Sequence, residues 1–454
     1  PLPDLRSLAA APAEALAYAL LIAALFGLYA LAYGRARRAA RPPRPALVGL
    51  AALLFGLPLL FAFPINATDV YGYVLHGRTA SVYGRNPYLS APAENGDPLA
   101  PAVGEWADLS SPYGPVWEGL AAAVTRAAGG QLWPSLLLFK GLGLLAHLGG
   151  GALLAAAQPA GDPRRRALAA LLWLWNPALL LIFVMNGHND GLMIFWLLLG
   201  WWLIGRGRPG LGLGLAVLAP LTKAIALLAP PFLLLAAWRL APSPAARARA
   251  LLVGAGLGAA LTWLAFAPYG PPWALAGRLA SEASQTAGYS PLTLYILQAA
   301  TLDIHPSFDR LAALAGAGVA ALALWLVWRS WRGRPAARGA ADLFFGYSLL
   351  ALTFRLWYTA WPFPWLALDH LAAGEGSSAA SPDMTGPRLL AGQSFLLLGQ
   401  LSGLIYGQLR VELLLGSHLA AHWLGVPLIF GLPLLVGFAA AGRSARSRGP
   451  QTER

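Results

Sequence analysis

The sequence predicts an all-α, polytopic membrane protein organised as a single domain over residues 1–454. The chain is 57% hydrophobic and 11% charged, whereas an ordinary soluble domain has roughly a quarter of its residues charged. It contains repeated apolar runs of about 20 residues, the length that an α-helix needs to cross a bilayer. Arginine clusters separate many of these runs. Such clusters are typical of cytoplasmic loops between transmembrane helices.

Charge and cysteine content exclude several other classes of protein. The net charge of +13 arises almost entirely from arginine, because Lys140 and Lys223 are the only lysines. No basic segment is interleaved with aromatic residues as nucleic-acid binding would require, so the sequence predicts no nucleic-acid partner. The chain has no cysteine. Disulfides, thiolate chemistry and cysteine-ligated metals are therefore excluded.

The apolar runs can be followed in order along the chain. The first run lacks a small-residue cleavage site, so we expect a retained helix and not a signal peptide. Residues 115–128 are too short for a span, and residues 291–309 are expected to be interfacial or re-entrant. A Gly/Ser-rich segment, 373–388, is predicted to be a flexible cytoplasmic loop. About thirteen membrane spans are predicted, over residues 13–33, 46–64, 131–157, 167–185, 191–205, 209–222, 224–238, 250–268, 310–328, 341–354, 357–372, 389–408 and 411–438.

One long polar segment, residues 65–115, interrupts the apolar pattern. It follows a span that begins after an arginine-rich loop, so it is predicted to lie on the outer face of the membrane. Asp69 opens the segment at the edge of the bilayer. The sequence VYGYVLHGRTASVYG follows it and has the periodicity of a helix lying in the interface. We therefore predict a large first outer loop that contains interfacial helices and the catalytic centre.

Polar residues from four separate turns are predicted to meet at this outer face. If successive predicted spans cross the membrane in alternating directions, nearly every arginine cluster lies on one side and the other polar side chains lie on the opposite side. We predict that Asp69 is catalytic. The predicted substrate-binding residues are Tyr71, Arg78, Tyr113, His188, Asn189, Asp190, Lys223, Arg355 and Tyr358.

Asp69, Lys223 and Arg355 each also have a structural interpretation. Asp69 fits a general base, which needs a positioned carboxylate, but also a solvated loop acid or a helix cap. Lys223 stands between two apolar half-spans and suits a ligand for a lipid-borne anion, or else a lysine that reaches the headgroups. Arg355 has the same two interpretations, with the neighbouring Trp357 and Tyr358 as an interfacial aromatic belt.

Two further motifs are weaker signals. The sequence NGHND, residues 186–190, fits either a polar turn between helices or part of the site. His188 and Asp190 are too few and too badly spaced for a metal site, so no metal or other cofactor is predicted. In SSPYGPVW two prolines stiffen a turn that presents Tyr113. Glu118, within an apolar segment, is predicted to be a paired structural group and not a catalyst.

The order of these motifs reveals a family resemblance. TDVYGY, GRNPY, SPYGPVW, NPALLLIFVMNGHNDGL, PLTKAIALLAPPFLLL and FRLWYTAWPFPW follow one another along the chain. In this order they resemble the GT-C glycosyltransferases, and most of all the bacterial polyprenyl-phosphate-mannose-dependent α-mannosyltransferases that extend lipoglycans in actinobacteria. The resemblance implies that the acid opening the first outer loop, Asp69, is the catalytic base. It also implies a lipid-phosphate sugar donor that is used at the outer face of the bacterial plasma membrane.

The residues suit the chemistry that this resemblance implies. A sugar on polyprenyl phosphate has a good leaving group, which needs cations and not a protonating acid. One acid and two cations fit this need better than the paired carboxylates of glycoside hydrolases. We therefore expect an inverting transfer of a hexose, mannose by resemblance, to a glycan or lipid-linked acceptor. Asp69 would remove the acceptor proton, and Lys223 and Arg355 would bind the phosphate.

Two alternatives from other classes remain open at this point. In a multispan transporter or lipid-carrier flippase, His188, Asp190 and Lys223 would form a proton or ion relay. Such proteins place charges near the membrane midplane, whereas the polar groups here are predicted at one face, next to a large loop. The second alternative is a non-catalytic subunit of a membrane assembly.

Overall fold

The computed structural model describes residues 12–65, 67–102, 107–273, 288–373 and 386–447. These residues form α-helices with short 3-10 and π-helical turns, and no strand occurs among them. The predicted all-α class is therefore confirmed. Most of the helices begin at or next to a proline, which is favoured there because the first helical N–H groups have no acceptor within the helix.

The first half of the chain contains ten helices among its described residues. Short 3-10 turns cover Pro92–Asn95, Ala100–Ala102 and Ala224–Leu228, and a π-helical turn covers Leu181–Met185. The helices are α1 (Pro12–Arg38), α2 (Pro45–Phe61), α3 (Asp69–Ser81), α4 (Pro115–Ala127), α5 (Leu132–Ala156), α6 (Pro163–Leu174), α7 (Pro177–Leu180), α8 (Asp190–Gly205), α9 (Pro209–Ala216) and α10 (Pro230–Leu240).

The second half continues the same pattern of long and broken helices. Its short turns are a 3-10 turn at Leu356–Ala360 and π-helical turns at Leu404–Leu409 and Pro427–Gly431. The helices described there are α11 (Pro244–Phe266), α12 (Pro291–Ala300), α13 (Phe308–Trp331), α14 (Ala336–Leu350), α15 (Phe363–Ala373), α16 (Pro387–Gly399), α17 (Arg410–Glu412), α18 (His418–Val426) and α19 (Leu432–Ser447).

The predicted count of about thirteen spans is not confirmed. Five helical stretches among the described residues are long and apolar enough to cross a membrane: Ala13–Arg38, Leu132–Ala156, Pro244–Phe266, Phe308–Trp331 and His418–Arg443. The number rises to seven if α6 with α7 (bent by 51°) and α16 with the helix ending at Glu412 (bent by 43°) each count as one span. Several predicted spans are instead short helices, such as α9 with 8 residues and α10 with 11. Helices of that length cannot cross a bilayer alone.

The long helices and the short ones differ in their surroundings. Only 11% of the apolar stretch of α13 is buried, and it exposes leucines such as Leu314 and Leu324. By contrast, the main hydrophobic core draws mostly on α6, α7, α8, α10, α14 and α15, with further residues from α1, α2 and α5. Phe183, Phe232 and Trp365 are fully buried in it. A helix that exposes apolar side chains on most of its surface suits lipid surroundings. The helix α13 therefore presents most of its apolar surface outward, whereas α5, of similar length, has half of its apolar stretch buried.

The segment after α2 folds as two short helices packed on each other. Periodicity predicted a helix after Asp69, and α3 covers Asp69–Ser81, with nearly all its residues buried. It lies directly against α4: a Cβ atom on Gly77 would come within 2.4 Å of the Ala121 carbonyl oxygen. Glycine is needed there because the two backbones approach so closely. This contact holds α3, the helix that begins with Asp69, against α4.

Some arginines near helix ends contact neighbouring basic segments. Arg164 donates to the Ala39 carbonyl at 2.7 Å, which joins the first turn of α6 to the loop before α2. Arg239 donates to the Arg334 carbonyl at 3.1 Å, and Arg338 forms an ion pair with Asp369 at 2.9 Å. Most of the predicted flexible loop at 373–388 lies outside the described residues.

Candidate active site

Asp69 is a buried carboxylate at the start of α3, with 4% of its surface exposed. The Tyr113 hydroxyl donates a hydrogen bond to its Oδ1 at 3.2 Å. Burial raises the pKa of Asp69 to about 6, although the positive charges of Lys223 and Arg355 oppose this effect. At neutral pH the side chain is therefore mostly a carboxylate, with a basicity suited to accepting a proton. Because Lys223 and Arg355 both act on Asp69 by their charges, the acid and the two predicted cations lie in the same site.

Lys223 lies at a break between two helical segments. Its backbone is extended, with φ −152° and ψ 121°, between the turns that follow α9 and the 3-10 turn at Ala224–Leu228. Its Nζ donates to Asp190 Oδ2 at 2.8 Å and to Asn189 Oδ1 at 3.3 Å. The structure thus brings three predicted site residues into direct contact, in one ion pair and one hydrogen bond.

Asp190 and the NGHND turn are held from several sides. The π-helical turn Leu181–Met185 precedes this turn, and Gly187 takes the left-handed conformation, with φ +68°. That conformation favours glycine because it has no Cβ. The Asp190 side chain is fully buried, and its Oδ1 accepts a hydrogen bond from Trp361 Nε1 at 2.5 Å. This turn fixes the acid that orients Lys223.

His188 occupies the same turn as a neutral imidazole. Burial, and then the charge of Lys223, hold the pKa of His188 well below its ordinary value. Neither ring nitrogen has a hydrogen-bond partner among the described residues, and Nδ1 is 3.8 Å from Asp190 Oδ2. The ring lies 4.1 Å from that of Trp357, centroid to centroid. A neutral imidazole with two free nitrogens can both donate and accept hydrogen bonds with a substrate.

Arg355 begins the segment that the second half of the chain contributes to the site. Its backbone is extended between α14 and the 3-10 turn at Leu356–Ala360, and its guanidinium lies 5.5 Å from the centre of the Tyr289 ring. No carboxylate partner of Arg355 occurs among the described residues. Tyr358 stacks on Trp361 with ring centroids 3.8 Å apart. Arg355 thus acts on Asp69 through its charge, and no carboxylate among the described residues occupies its guanidinium.

The SSPYGPVW turn joins the base to the cation. Tyr113 contacts Asp69, and the next residues bind the chain just before Lys223: Gly114 N–H donates to Thr222 O at 3.1 Å, and Val116 N–H to Leu221 O at 2.9 Å. A Cβ on Gly114 would lie 2.1 Å from the Leu221 oxygen, so only glycine fits. The motif, predicted to be a stiff turn, therefore also connects Asp69 to the segment that carries Lys223.

Arg78 and Tyr71 differ in their relation to this cluster. Arg78 donates to Asp97 Oδ2 at 2.8 Å and also to the Gly130 carbonyl, so its described contacts brace the loop and do not reach Asp69 or Lys223. Tyr71 is buried, and its hydroxyl has no hydrogen-bond partner among the described residues. Substrate binding by these two residues stays a prediction.

Sequence reasoning missed three residues that shape the site. Trp361 binds Asp190, the ring of Trp357 covers His188, and Glu118 is hydrogen-bonded to the turn that presents Tyr113. Both tryptophans were visible in FRLWYTAWPFPW, but an interfacial belt explained them equally well. Among the described residues, no group of three or more His, Cys, Asp or Glu side chains is placed to hold a metal ion.

Comparisons with known proteins identify the family. Residues 3–239, just over half of the chain, match the family model described as alpha-(1->6)-mannopyranosyltransferase, N-terminal domain. This stretch includes Asp69, Tyr113, Asp190 and Lys223, whereas Arg355 lies beyond it.

Individual relatives carry the same description. The chain is 34% identical over 181 residues to alpha-(1->6)-mannopyranosyltransferase A of Mycobacterium tuberculosis, a match covering 39% of this chain and 34% of the relative. It is 28% identical over 178 residues to the A protein of Corynebacterium glutamicum, covering 39% and 36%, and 29% identical over 165 residues to that organism's B protein, covering 35% and 27%. The chain thus spans about a third of the length of the curated relatives that it matches. On the match over residues 3–239, this chain belongs to the alpha-(1->6)-mannopyranosyltransferase family.

Proposed function

We propose that this protein transfers mannose from a polyprenyl-phosphate donor to a hydroxyl of a glycan or lipid-linked acceptor at the outer face of the membrane. The family description and the relatives' names support mannosyl transfer. The lipid donor, the acceptor class and the orientation are our inferences from the site and from the apolar helices around it.

The single observation that carries this proposal is the meeting of one basic carboxylate and two cations. Burial raises the pKa of Asp69 to about 6, the Tyr113 hydroxyl donates to it, and Lys223 and Arg355 act on it by their charges. The two cations come from breaks in helices, where side chains can reach a ligand that lies among helices. An anion with an apolar tail suits such a site, because its phosphate can meet cations while the tail stays in lipid.

The transfer step follows from this arrangement. Asp69 accepts the proton of the acceptor hydroxyl as that oxygen attacks the anomeric carbon. The bond between this carbon and the phosphate oxygen breaks, and its electron pair leaves with the phosphate. Lys223 and Arg355 stabilise the added negative charge, Lys as a point charge and Arg with paired donors. Attack from the face opposite the phosphate inverts the anomeric carbon, so a β-linked donor gives an α-linked product.

Unpartnered polar atoms support a polar substrate between these charged groups. The Tyr71 hydroxyl, both His188 ring nitrogens and the Asn189 Nδ2 are buried without hydrogen-bond partners among the described residues. Buried polar groups are normally paired, so these atoms are suited to bind sugar hydroxyls. The Tyr358 ring, stacked on Trp361, adds an aromatic surface of the kind on which sugars pack.

The experiment is a transfer assay on the purified chain in lipid nanodiscs. Polyprenyl-phosphate [14C]mannose is supplied with candidate acceptors, and the expected result is radiolabelled glycan that is absent with Asp69→Asn. Lipid-carrier movement across proteoliposomes, without any transfer, would replace the proposal with the flippase alternative. Transfer only from a nucleotide sugar would disprove the lipid donor and leave mannosyl transfer standing.

A further inference from the structure

Glu118 is a fully buried acid that the proposed reaction does not use. It lies in the first turn of α4 with 0% of its surface exposed. Its Oε1 accepts a hydrogen bond from Ser111 Oγ at 2.5 Å, whereas its Oε2 has no partner among the described residues. Placing an acid in such surroundings is costly unless the contact that it makes is needed. Ser111 is therefore the group through which Glu118 acts.

Ser111 connects Glu118 to the backbone of Tyr113. Its Oγ accepts a hydrogen bond from Tyr113 N–H at 3.2 Å, and its own N–H donates to the Pro87 carbonyl at 2.9 Å. On the other side, the Tyr88 hydroxyl donates to the Tyr113 carbonyl at 2.8 Å. Both polar groups of the Tyr113 backbone are thus fixed by buried side chains.

The position of this backbone determines where the Tyr113 hydroxyl lies. A tyrosine side chain has only two rotatable angles, and the Tyr113 ring packs edge-on against Tyr73 with ring centroids 5.0 Å apart. Its hydroxyl reaches Asp69 Oδ1 at 3.2 Å. A hydrogen bond donated to a carboxylate stabilises the charged form and so lowers its pKa. The contacts from Glu118 to Asp69 form a continuous chain.

We propose that Glu118 is a positioning residue, which through Ser111 fixes the turn that aims the Tyr113 hydroxyl at Asp69. This inference extends the proposed function, because it assigns the device that sets the basicity of the catalytic carboxylate. Burial raises the pKa of Glu118 to about 8, although the Ser111 hydrogen bond opposes this effect. The acid is thus mainly neutral near pH 7 and adds little charge to the site.

Other titratable groups interact with Glu118 and Asp69, and the experiment has to take their charges into account. Tyr88 and Tyr269 are the titratable groups that interact electrostatically with Glu118. Lys223, Arg355 and Asp190 interact electrostatically with Asp69, and none of them is substituted in the Ser111 variant. Loss of the Tyr113 contact alone should raise the pKa of Asp69 by roughly half a unit to one unit, the typical value of one hydrogen bond.

The experiment measures the pKa of Asp69 in two ways. The first is the acidic limb of the pH–rate profile for mannosyl transfer. The second is an infrared titration of carboxyl groups, with the Asp69 signal assigned by its loss in Asp69→Asn. Ser111→Ala and Tyr113→Phe should each shift both values upward, and the double variant should show no further shift. Ser135→Ala removes another buried hydroxyl, one that donates to the Gln131 carbonyl, and should leave both values unchanged.

Glu118 itself is tested with a pair of substitutions. Glu118→Ala should shift the Asp69 titration as Ser111→Ala does, and Glu118→Gln, whose amide oxygen can still accept from Ser111, should restore it. A thermal unfolding transition confirms that each variant is folded. The inference is overturned if Ser111→Ala or Glu118→Ala leaves the infrared titration of Asp69 where it is. Mannosyl transfer by Asp69→Asn at nearly the natural rate would instead rule out Asp69 as the base of the proposed reaction, and the infrared result would still decide whether Glu118 positions Tyr113.

Discussion

Replacing Lys223 together with its partner Asp190 separates phosphate binding from folding. The ammonium and the carboxylate are 2.8 Å apart, the Asp190 side chain is fully buried, and its other oxygen binds Trp361. Lys223→Met alone leaves a buried carboxylate without its cation, a change that costs about 3–5 kcal/mol of folding free energy. Asp190→Asn in the same chain removes that charge, and its amide oxygen still accepts from Trp361. The double variant should therefore regain most of the lost stability.

Donor binding should behave differently from stability in these variants. A charge-assisted hydrogen bond to a phosphate contributes about 1–3 kcal/mol, which corresponds to an affinity loss of about 5- to 150-fold. Both Lys223→Met and the double variant should show this loss. Asp190→Asn alone keeps the ammonium and removes a competing anion, so it should bind the donor at least as tightly as the natural chain.

The assay is donor binding in nanodiscs, followed with a fluorescent polyprenyl-phosphate sugar, alongside thermal unfolding of the same preparations. Lys140→Met is the matched control, because Lys140 is the only other lysine and its ammonium binds the Ala62 carbonyl. Unchanged donor affinity in the Lys223→Met, Asp190→Asn double variant would refute the assignment. Lys223 would then serve only to neutralise Asp190.

Three other predictions test the surroundings of the site. Glu118 has a folded-state pKa of about 8 against an ordinary 4.5, so its stabilising effect is complete below pH 4.5 and is lost towards pH 8. Glu118→Gln should gain stability over the natural chain across this range, by up to about 1.4 kcal/mol per pH unit in unfolding experiments. Gly114→Ala places a methyl group against the Leu221 carbonyl and should lower stability by about 1–3 kcal/mol, with reduced transfer. Single cysteines at the exposed positions Arg85 and Arg249 should differ in intact cells, with only the first labelled by an impermeant thiol reagent.

Each of these predictions has an outcome that contradicts it. Equal pH dependence of unfolding for Glu118→Gln and the natural chain would show that Glu118 is ionised when folded. Gly119→Ala is the control for the glycine test, since the nearest atom to its added methyl group would be the Tyr269 hydroxyl oxygen at 3.9 Å. An equal loss of stability in this control would show that the effect of Gly114→Ala does not come from the close approach to Leu221. Labelling at Arg249 from outside would reverse the proposed orientation.

The helical fold could be predicted from sequence, but the number of spans could not. Apolar surface that faces lipid leaves a strong mark on composition, which is why the stretches now seen in α1, α5, α11 and α13 were recognised. Short helices such as α9 and α10 are also apolar, and each packs part of its surface inside the protein. Hydropathy does not distinguish a short buried helix from a span, so it does not determine the number of spans.

The members of the candidate site were easier to predict than their contacts. Asp69, Asp190 and Lys223 stand out because polar groups in apolar surroundings are rare. The hydrogen bond from Tyr113 to Asp69 joins residues 44 apart, and the pair of Lys223 and Asp190 joins residues 33 apart. Local pattern carries no information on such pairings. The sequence likewise predicts Glu118 only as a structural group, because it does not show the contacts through Ser111 and Tyr113 that connect Glu118 to Asp69.

The most direct test of the central claim is single-turnover mannosyl transfer by Asp69→Asn, with donor binding measured on the same preparation. The asparagine keeps the shape of the side chain but cannot accept the acceptor proton. Losing a general base should slow transfer by about a hundred- to ten-thousand-fold, while the donor stays bound through Lys223 and Arg355. In the natural chain the rate should fall as the pH drops through about 6, where Asp69 becomes protonated. A variant that transfers mannose at nearly the natural rate would show that Asp69 is not the base.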